Sequence, residues 1–271
     1  MKHLIFTLLL IANATAIYAQ QQDYEEIKQA AVNFENAELS ANDSLIKINA
    51  VDACKKMIDI FKNNPELLSA DLSQNKRIIK TLSDDNKVVC VTTMVKLKDE
   101  SCYYCGFIAY LKGENDITFT QLIQSENKEN PMFTDYNCTN WYGAVYYEII
   151  KAGGKKDPEY AFLGWDGADL FINRKVFEQV KFNSEDIPIW GGNFECERRK
   201  GCKRLVFEYS EKAAMSLTYN KKMKMITADH LSPSMPKYSG NPAFYGPDFS
   251  FDGWIYEDSV WRYLPDIDAK N

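Results

Sequence analysis

The stretch that decides the fold is KVVCVTTMVK, residues 87–96, followed after a short polar interval by YYCGFIAYL, residues 103–111. Both runs are rich in β-branched and aromatic residues, a composition that is typical of β-strands. Similar runs continue along the chain, with clusters of Gly, Asn, Asp and Ser between them. They predict strands at 77–81, 87–96, 103–111, 117–124, 142–150, 160–163, 203–209, 214–219 and 225–229.

Strands that follow one another without intervening helices form antiparallel sheets. We therefore expect a mainly β protein whose sheets form a sandwich, a barrel or a small propeller. In this part of the chain, residues 169–180 have a helical pattern, and we predict a helix there.

The N-terminal part has a different pattern. Residues 23–39 place apolar side chains on one helical face, and Asn42, Asp43 and Ser44 offer an N-cap for a second helix that ends before Pro65. The expected apolar positions are Tyr24, Ile27, Ala31 and Phe34 in the first helix, and Leu45, Ile48, Val51, Cys54, Ile58 and Phe61 in the second. We expect a signal peptide at 1–19, a helical segment at 20–70 and an antiparallel β domain at 71–271.

Residues 1–19 have a short basic start, an apolar run and a small residue, Ala19, at the expected cleavage position. No other stretch is apolar enough to predict a membrane span after cleavage. The formal net charge of −6 argues against a nucleic-acid partner. The sequence thus predicts a periplasmic or secreted protein.

Seven cysteines suit an oxidising compartment. Cys196 and Cys202 flank a short charged segment that resembles a hairpin tip, and we expect them to form a disulfide. Cys102 and Cys105 spell CxxC, but they lie in a predicted strand, where positions i and i+3 face opposite sides. We therefore expect structural cysteines there instead of a redox motif, which requires a helix start. A zinc site combining these two cysteines with Cys196 and Cys202 is a further alternative.

No residue is assigned a catalytic role, because the sequence contains no GxSxG, P-loop or GxGxxG motif. His230 is the only histidine after the leader, so any triad would depend on it.

Four aspartates in Gly-flanked segments remain as ligand or calcium candidates: Asp166, Asp169, Asp248 and Asp252. Such carboxylates can ligate calcium or act as acid and base on a glycan. Asp in a Gly-rich turn more often hydrogen-bonds its own backbone. We expect no resident cofactor, with calcium as the alternative.

Residues 238–263 contain nine aromatic side chains. They predict either a filled sheet core or a stacking platform for sugars, and the core interpretation is favoured.

Five motifs follow one another along the chain: WYGAVYY at 141–147, LGWDG at 163–167, RLVFEYS at 204–210, DHLSP at 229–233 and FYGPDFS at 244–250. In this order the chain resembles a group of uncharacterised exported proteins of the Bacteroidota. The resemblance implies a Gram-negative envelope location, and it implies no activity.

The sequence thus favours a non-enzymatic protein that binds a protein partner or an envelope ligand. The alternative is a carboxylate-based or calcium-assisted protein that processes or binds glycans.

Overall fold

The computed structural model describes residues 24–113, 116–154, 158–196 and 199–268. The predicted leader, residues 1–19, lies outside this range. The described chain is mainly β with two α-helices in its N-terminal region, as the sequence predicts.

Helix α1 spans residues 24–38 and helix α2 spans Asp43–Asn63. The Asn42 side chain caps α2 by accepting a hydrogen bond from the Leu45 N–H at 3.0 Å, as the N-cap prediction requires.

The prediction that Tyr24, Leu45 and Ile48 lie on the buried faces is wrong, because these side chains are 47%, 42% and 57% exposed. The helices turn small side chains toward the core instead, including Ala30, Ala37, Ala50 and Ala53. Small residues allow the helices to pack closely, whereas the apolar pattern gives more weight to large residues.

Fifteen strands are described outside the helices. They are β1 (Ile79–Leu82), β2 (Val88–Lys96), β3 (Cys102–Gly113), β4 (Asp116–Ile123), β5 (Val145–Gly153), β6 (Glu159–Asp166), β7 (Ile172–Phe182), β8 (Pro188–Trp190), β9 (Phe194–Cys196), β10 (Arg199–Cys202), β11 (Arg204–Ser210), β12 (Leu217–Asn220), β13 (Met225–Pro233), β14 (Tyr245–Glu257) and β15 (Val260–Leu264). Short 3-10 helices lie at Pro65–Leu68, Pro236–Tyr238 and Pro242–Phe244.

These strands form three sheets with the orders β1-β2-β3-β4, β11-β7-β6-β5 and β10-β9-β15-β14-β13-β12, and β8 pairs with β7. The pairs are antiparallel except for a single parallel bridge between β9 and β15. Each sheet is open, so the described strands do not form the closed barrel that the sequence left as an alternative.

The sheets stack in layers. The helices pack on one face of the first sheet, around Phe61 and Phe107. The opposite face of that sheet packs against the β5–β7 sheet through Tyr104 and Phe162. The other face of the β5–β7 sheet then packs against the β12–β15 sheet, where Trp254 and other side chains fill the core. The β5–β7 sheet is therefore buried on both faces.

The prediction of a helix at 169–180 is wrong, because most of that segment is strand β7. The burial of both faces explains the error. Val176, Phe177, Glu178, Gln179 and Val180 are all buried, so the strand shows no alternation between apolar and polar residues. A strand buried on both faces cannot be distinguished from a helix by periodicity alone.

Candidate functional site

Asp166 ends strand β6 and is only 1% exposed. Its Oδ2 atom accepts a hydrogen bond from the Tyr142 hydroxyl at 2.9 Å and lies 3.3 Å from Lys128 Nζ and 3.4 Å from an Arg174 nitrogen. Lys128 belongs to the segment between β4 and β5, so the carboxylate ties this segment to the sheet. A carboxylate buried next to two cations acts as a structural anchor for its neighbours.

The ammonium group of Lys128 lies over two aromatic rings, 5.1 Å from the centroid of Tyr104 and 4.7 Å from that of Tyr142. Burial lowers the pKa of Lys128, and the charge of Asp166 partly opposes this effect. Tyr104 also accepts a hydrogen bond from the Gly167 N–H at 2.8 Å. The network therefore fixes the start of the loop that follows β6.

Asp169 lies in that loop, where its Oδ1 atom accepts hydrogen bonds from the backbone N–H groups of Phe171 at 2.7 Å and Ile172 at 2.9 Å. This is the self-capping turn that the sequence offered as one alternative. The turn holds Leu170 and Phe171 in the solvent, where they are 58% and 68% exposed.

Leu170 and Phe171 form one wall of a groove of about 540 Å³. The rest of the groove is lined by residues 210–213, at the end of β11 and just after it, by residues 243–246, where β14 begins, and by Ser234. Phe244 is a further large apolar side chain on the wall and is 41% exposed. The term "apolar groove" refers below to this site.

Asp248 lies on β14 just beyond the groove. Between the pairs Asp229–Phe251 and Leu231–Pro247, β13 advances two residues and β14 advances four, so β14 carries a two-residue bulge. Asp248 holds the bulge by accepting hydrogen bonds from the Ser250 N–H at 3.1 Å and from the Ser232 hydroxyl at 3.0 Å. Partial burial acts to raise the pKa of Asp248, but these bonds lower it below its ordinary value.

The bulge projects Phe249 outward. This residue is 89% exposed and has a φ of 73°, a left-handed conformation that bulky side chains rarely adopt. Phe249 follows Gly246 on the groove wall by three positions, so the two Cα atoms are at most about 11 Å apart.

Asp252 has different partners from the other candidates. Its Oδ2 atom is 2.8 Å from His230 Nδ1, and its Oδ1 atom accepts a hydrogen bond from the Tyr263 hydroxyl at 2.9 Å. Asp252 is 8% exposed, so this group ties β13, β14 and β15 together.

Within the described ranges, the four candidate aspartates thus have different hydrogen-bond partners. Asp169 and Asp248 flank the apolar groove through their turns, whereas Asp166 and Asp252 belong to separate buried networks. Among the described residues, no three His, Cys, Asp or Glu side chains lie close enough together to hold a metal ion. The calcium alternative remains a prediction.

Cys196 and Cys202 lie at disulfide distance between β9 and β10, as predicted. Residues 197 and 198 of the predicted hairpin tip lie outside the described residues. Cys102 and Cys105 are free and buried in β3, and they belong to the core clusters on opposite faces of the sheet. This is the strand geometry that argued against a redox motif.

Of the nine aromatic residues at 238–263, two are buried, two are exposed and five are half-buried. Trp254 and Trp261 are buried in the sheet core, as the favoured interpretation expects, whereas Phe244 and Phe249 are exposed. The sequence did not single out Leu170 and Phe171, because the incorrect helix included them. The Gly-flanked aspartates that precede Leu170 and Phe249 were the available signal.

We find no match to this chain among protein-family models, curated proteins or solved structures. None of the helices in the described ranges is both long enough and apolar enough to cross a membrane.

Proposed function

We propose that this chain is a non-enzymatic binding protein of the cell envelope, and that the apolar groove holds a protein partner or another envelope ligand. The observation that carries the proposal is the cluster of exposed large apolar side chains at the groove: Leu170, Phe171, Phe244 and the neighbouring Phe249.

Exposed apolar residues scattered singly over a surface require no explanation, but a group around one concavity is typical of an interaction site. The volume of the groove falls within the range of ligand pockets. It could accept several side chains of a partner or one small ligand.

The turns that present these side chains support the same proposal. Asp169 and Asp248 use their carboxylates to hold backbone N–H groups directly next to the exposed residues. Fixed turns reduce the conformational entropy that a binding surface loses when its partner arrives.

The conformation of Phe249 is a further argument. A left-handed backbone at a bulky residue costs free energy, and such strain clusters at functional sites. Because the ring is almost fully exposed, it contributes little to the stability of this fold. Contact with a partner would account for a large ring at this position.

An envelope location is part of the proposal. The leader pattern, the resemblance to exported proteins of the Bacteroidota and the Cys196–Cys202 pair support a periplasmic or secreted protein.

The test compares a groove variant, Leu170→Ser with Phe171→Ser, with the wild type in affinity capture from an envelope extract. The matched control is Leu39→Ser with Ile48→Ser, which removes two exposed apolar side chains from the helical hairpin. We expect the wild type and the control to retain the same envelope component, and the groove variant to lose it.

Capture that is equal for all three proteins would contradict the proposal. Thermal unfolding with a panel of envelope glycan fragments and with calcium distinguishes the two classes of ligand. A stabilisation that survives in the groove variant and disappears in Asp166→Asn would instead favour the carboxylate alternative.

A further inference from the structure

Strand β4 lies at the edge of the first sheet, and the alternation of the backbone shows which of its residues point outward. The Ile123 N–H donates to Cys138 O and Ile123 O accepts from the Trp141 N–H, both at 2.8 Å, so the main chain of Ile123 faces away from β3. The register of β3 and β4 is continuous from Ile123 to Ile117. The backbone groups of Ile117, Phe119 and Gln121 therefore point outward as well.

Within the described ranges, no hydrogen bond reaches the main-chain N–H or C=O of Ile117, Phe119 or Gln121 from outside the sheet. The edge strand β12, by contrast, is covered by side chains of β5. Its Leu217 O accepts a hydrogen bond from the Tyr147 hydroxyl, and its Tyr219 N–H donates to Glu148.

Strand β4 also lacks the features that usually protect an edge. Its sequence, DITFTQLI, contains no Lys and no Pro, and its one charge, Asp116, is at the end. An unprotected edge of this length is a template for another extended strand.

We propose that β4 pairs antiparallel with β4 of a second copy of this chain, around a two-fold axis at Phe119. This register places Ile117 opposite Gln121 of the second copy and Phe119 opposite its own equivalent. Every outward N–H group of both copies then has a C=O acceptor, which gives six hydrogen bonds.

The side chains are compatible with this register. Thr118 lies opposite Thr120 of the second copy, a favourable cross-strand pair, and Asp116 lies opposite Leu122 and so does not meet a like charge. The free edge is also long enough for this register. It ends at Ile123, because the segment at 138–141 covers the edge from there onward. The pairing is independent of the apolar groove.

The test is sedimentation velocity of the mature chain over a wide concentration range. We expect the wild type to shift from monomer to dimer with concentration, and Thr118→Lys with Thr120→Lys to remain monomeric, because lysines then face each other across the junction. Leu170→Lys with Phe171→Lys is the matched control for association through the groove, and it should dimerise like the wild type.

Ile117→Pro is a second variant that leaves the β3–β4 hydrogen bonds intact, because it removes only an outward N–H. It should also be monomeric. A wild type that is monomeric at every concentration, or a dimer that the lysine pair and the proline leave unchanged, overturns the proposal. Loss of the dimer in the groove variant alone would overturn it as well.

Discussion

Phe249→Gly should stabilise the fold, although it removes a large aromatic side chain. The left-handed conformation costs an L-residue about 1–2 kcal/mol, and glycine adopts it without this cost. Glycine loses about 0.4–1 kcal/mol through the greater freedom of the unfolded chain. Because the ring is 89% exposed, the burial that is lost is only about a tenth of the 1.5–3 kcal/mol of a fully buried Phe. The net change is a gain of about 0.5 kcal/mol.

The assay is urea unfolding of the wild type, Phe249→Gly and Phe249→Ala, with equal m-values as the check of two-state behaviour. The alanine variant loses the ring and keeps the strained backbone, so it should be less stable than the glycine variant by about 1 kcal/mol. Both variants should lose the envelope component that the wild type captures. A glycine variant less stable than the alanine variant would refute the reasoning, because Phe249 would then not be strained.

Three other predictions concern the core and the cysteines. Arg204 is fully buried and lies 2.6 Å from Glu178, so Glu178→Gln leaves it without a counter-ion and should lower the free energy of unfolding by about 3 kcal/mol. Glu195→Gln, in an exposed ion pair, should lower the free energy of unfolding by less than about 1 kcal/mol. Thermal unfolding measures both changes, and equal losses would contradict this prediction. Burial raises the pKa of all five free thiols, so above about pH 9 they ionise first in the unfolded chain. The free energy of unfolding should therefore fall as pH rises from 9, and a flat profile from urea unfolding at pH 8–10.5 would disprove it. Reduction of the Cys196–Cys202 pair, whose sequence separation is 6, should lower the free energy of unfolding by about 2 kcal/mol, and no change on reduction would exclude a closed disulfide.

The elements that the sequence predicts well depend on local patterns. Strands β2 and β3 are rich in β-branched and aromatic residues, and α2 begins at a side chain that caps it. The Cys196–Cys202 pair is also local, because six positions separate its members.

The elements that the sequence misses depend on contacts between layers. Strand β7 lies in the middle sheet, so both of its faces are buried and it has no period of two. Strand β14 was not predicted, because Gly246, Pro247 and Gly253 interrupt its aromatic pattern. In the structure, Gly246 and Pro247 pair with β13 on one side of the bulge and Gly253 pairs on the other side.

The candidate site was found only in part. Asp169 and Asp248 could be selected from their turns, and the sequence favoured turn hydrogen bonds over a ligand for the carboxylates themselves. Their oxygens bind backbone N–H groups, and the residues they present are apolar. Exposure depends on the whole fold, so a single sequence cannot show that Leu170 and Phe244 share one groove.

The most direct test of the groove proposal is covalent footprinting of exposed side chains, with and without the envelope component that the wild type captures. We expect modification of Leu170, Phe171, Phe244 and Phe249 to fall together when the ligand binds, and modification of Leu39 on the helical hairpin to stay constant. Unchanged modification at the groove, with protection elsewhere, would contradict the proposed function.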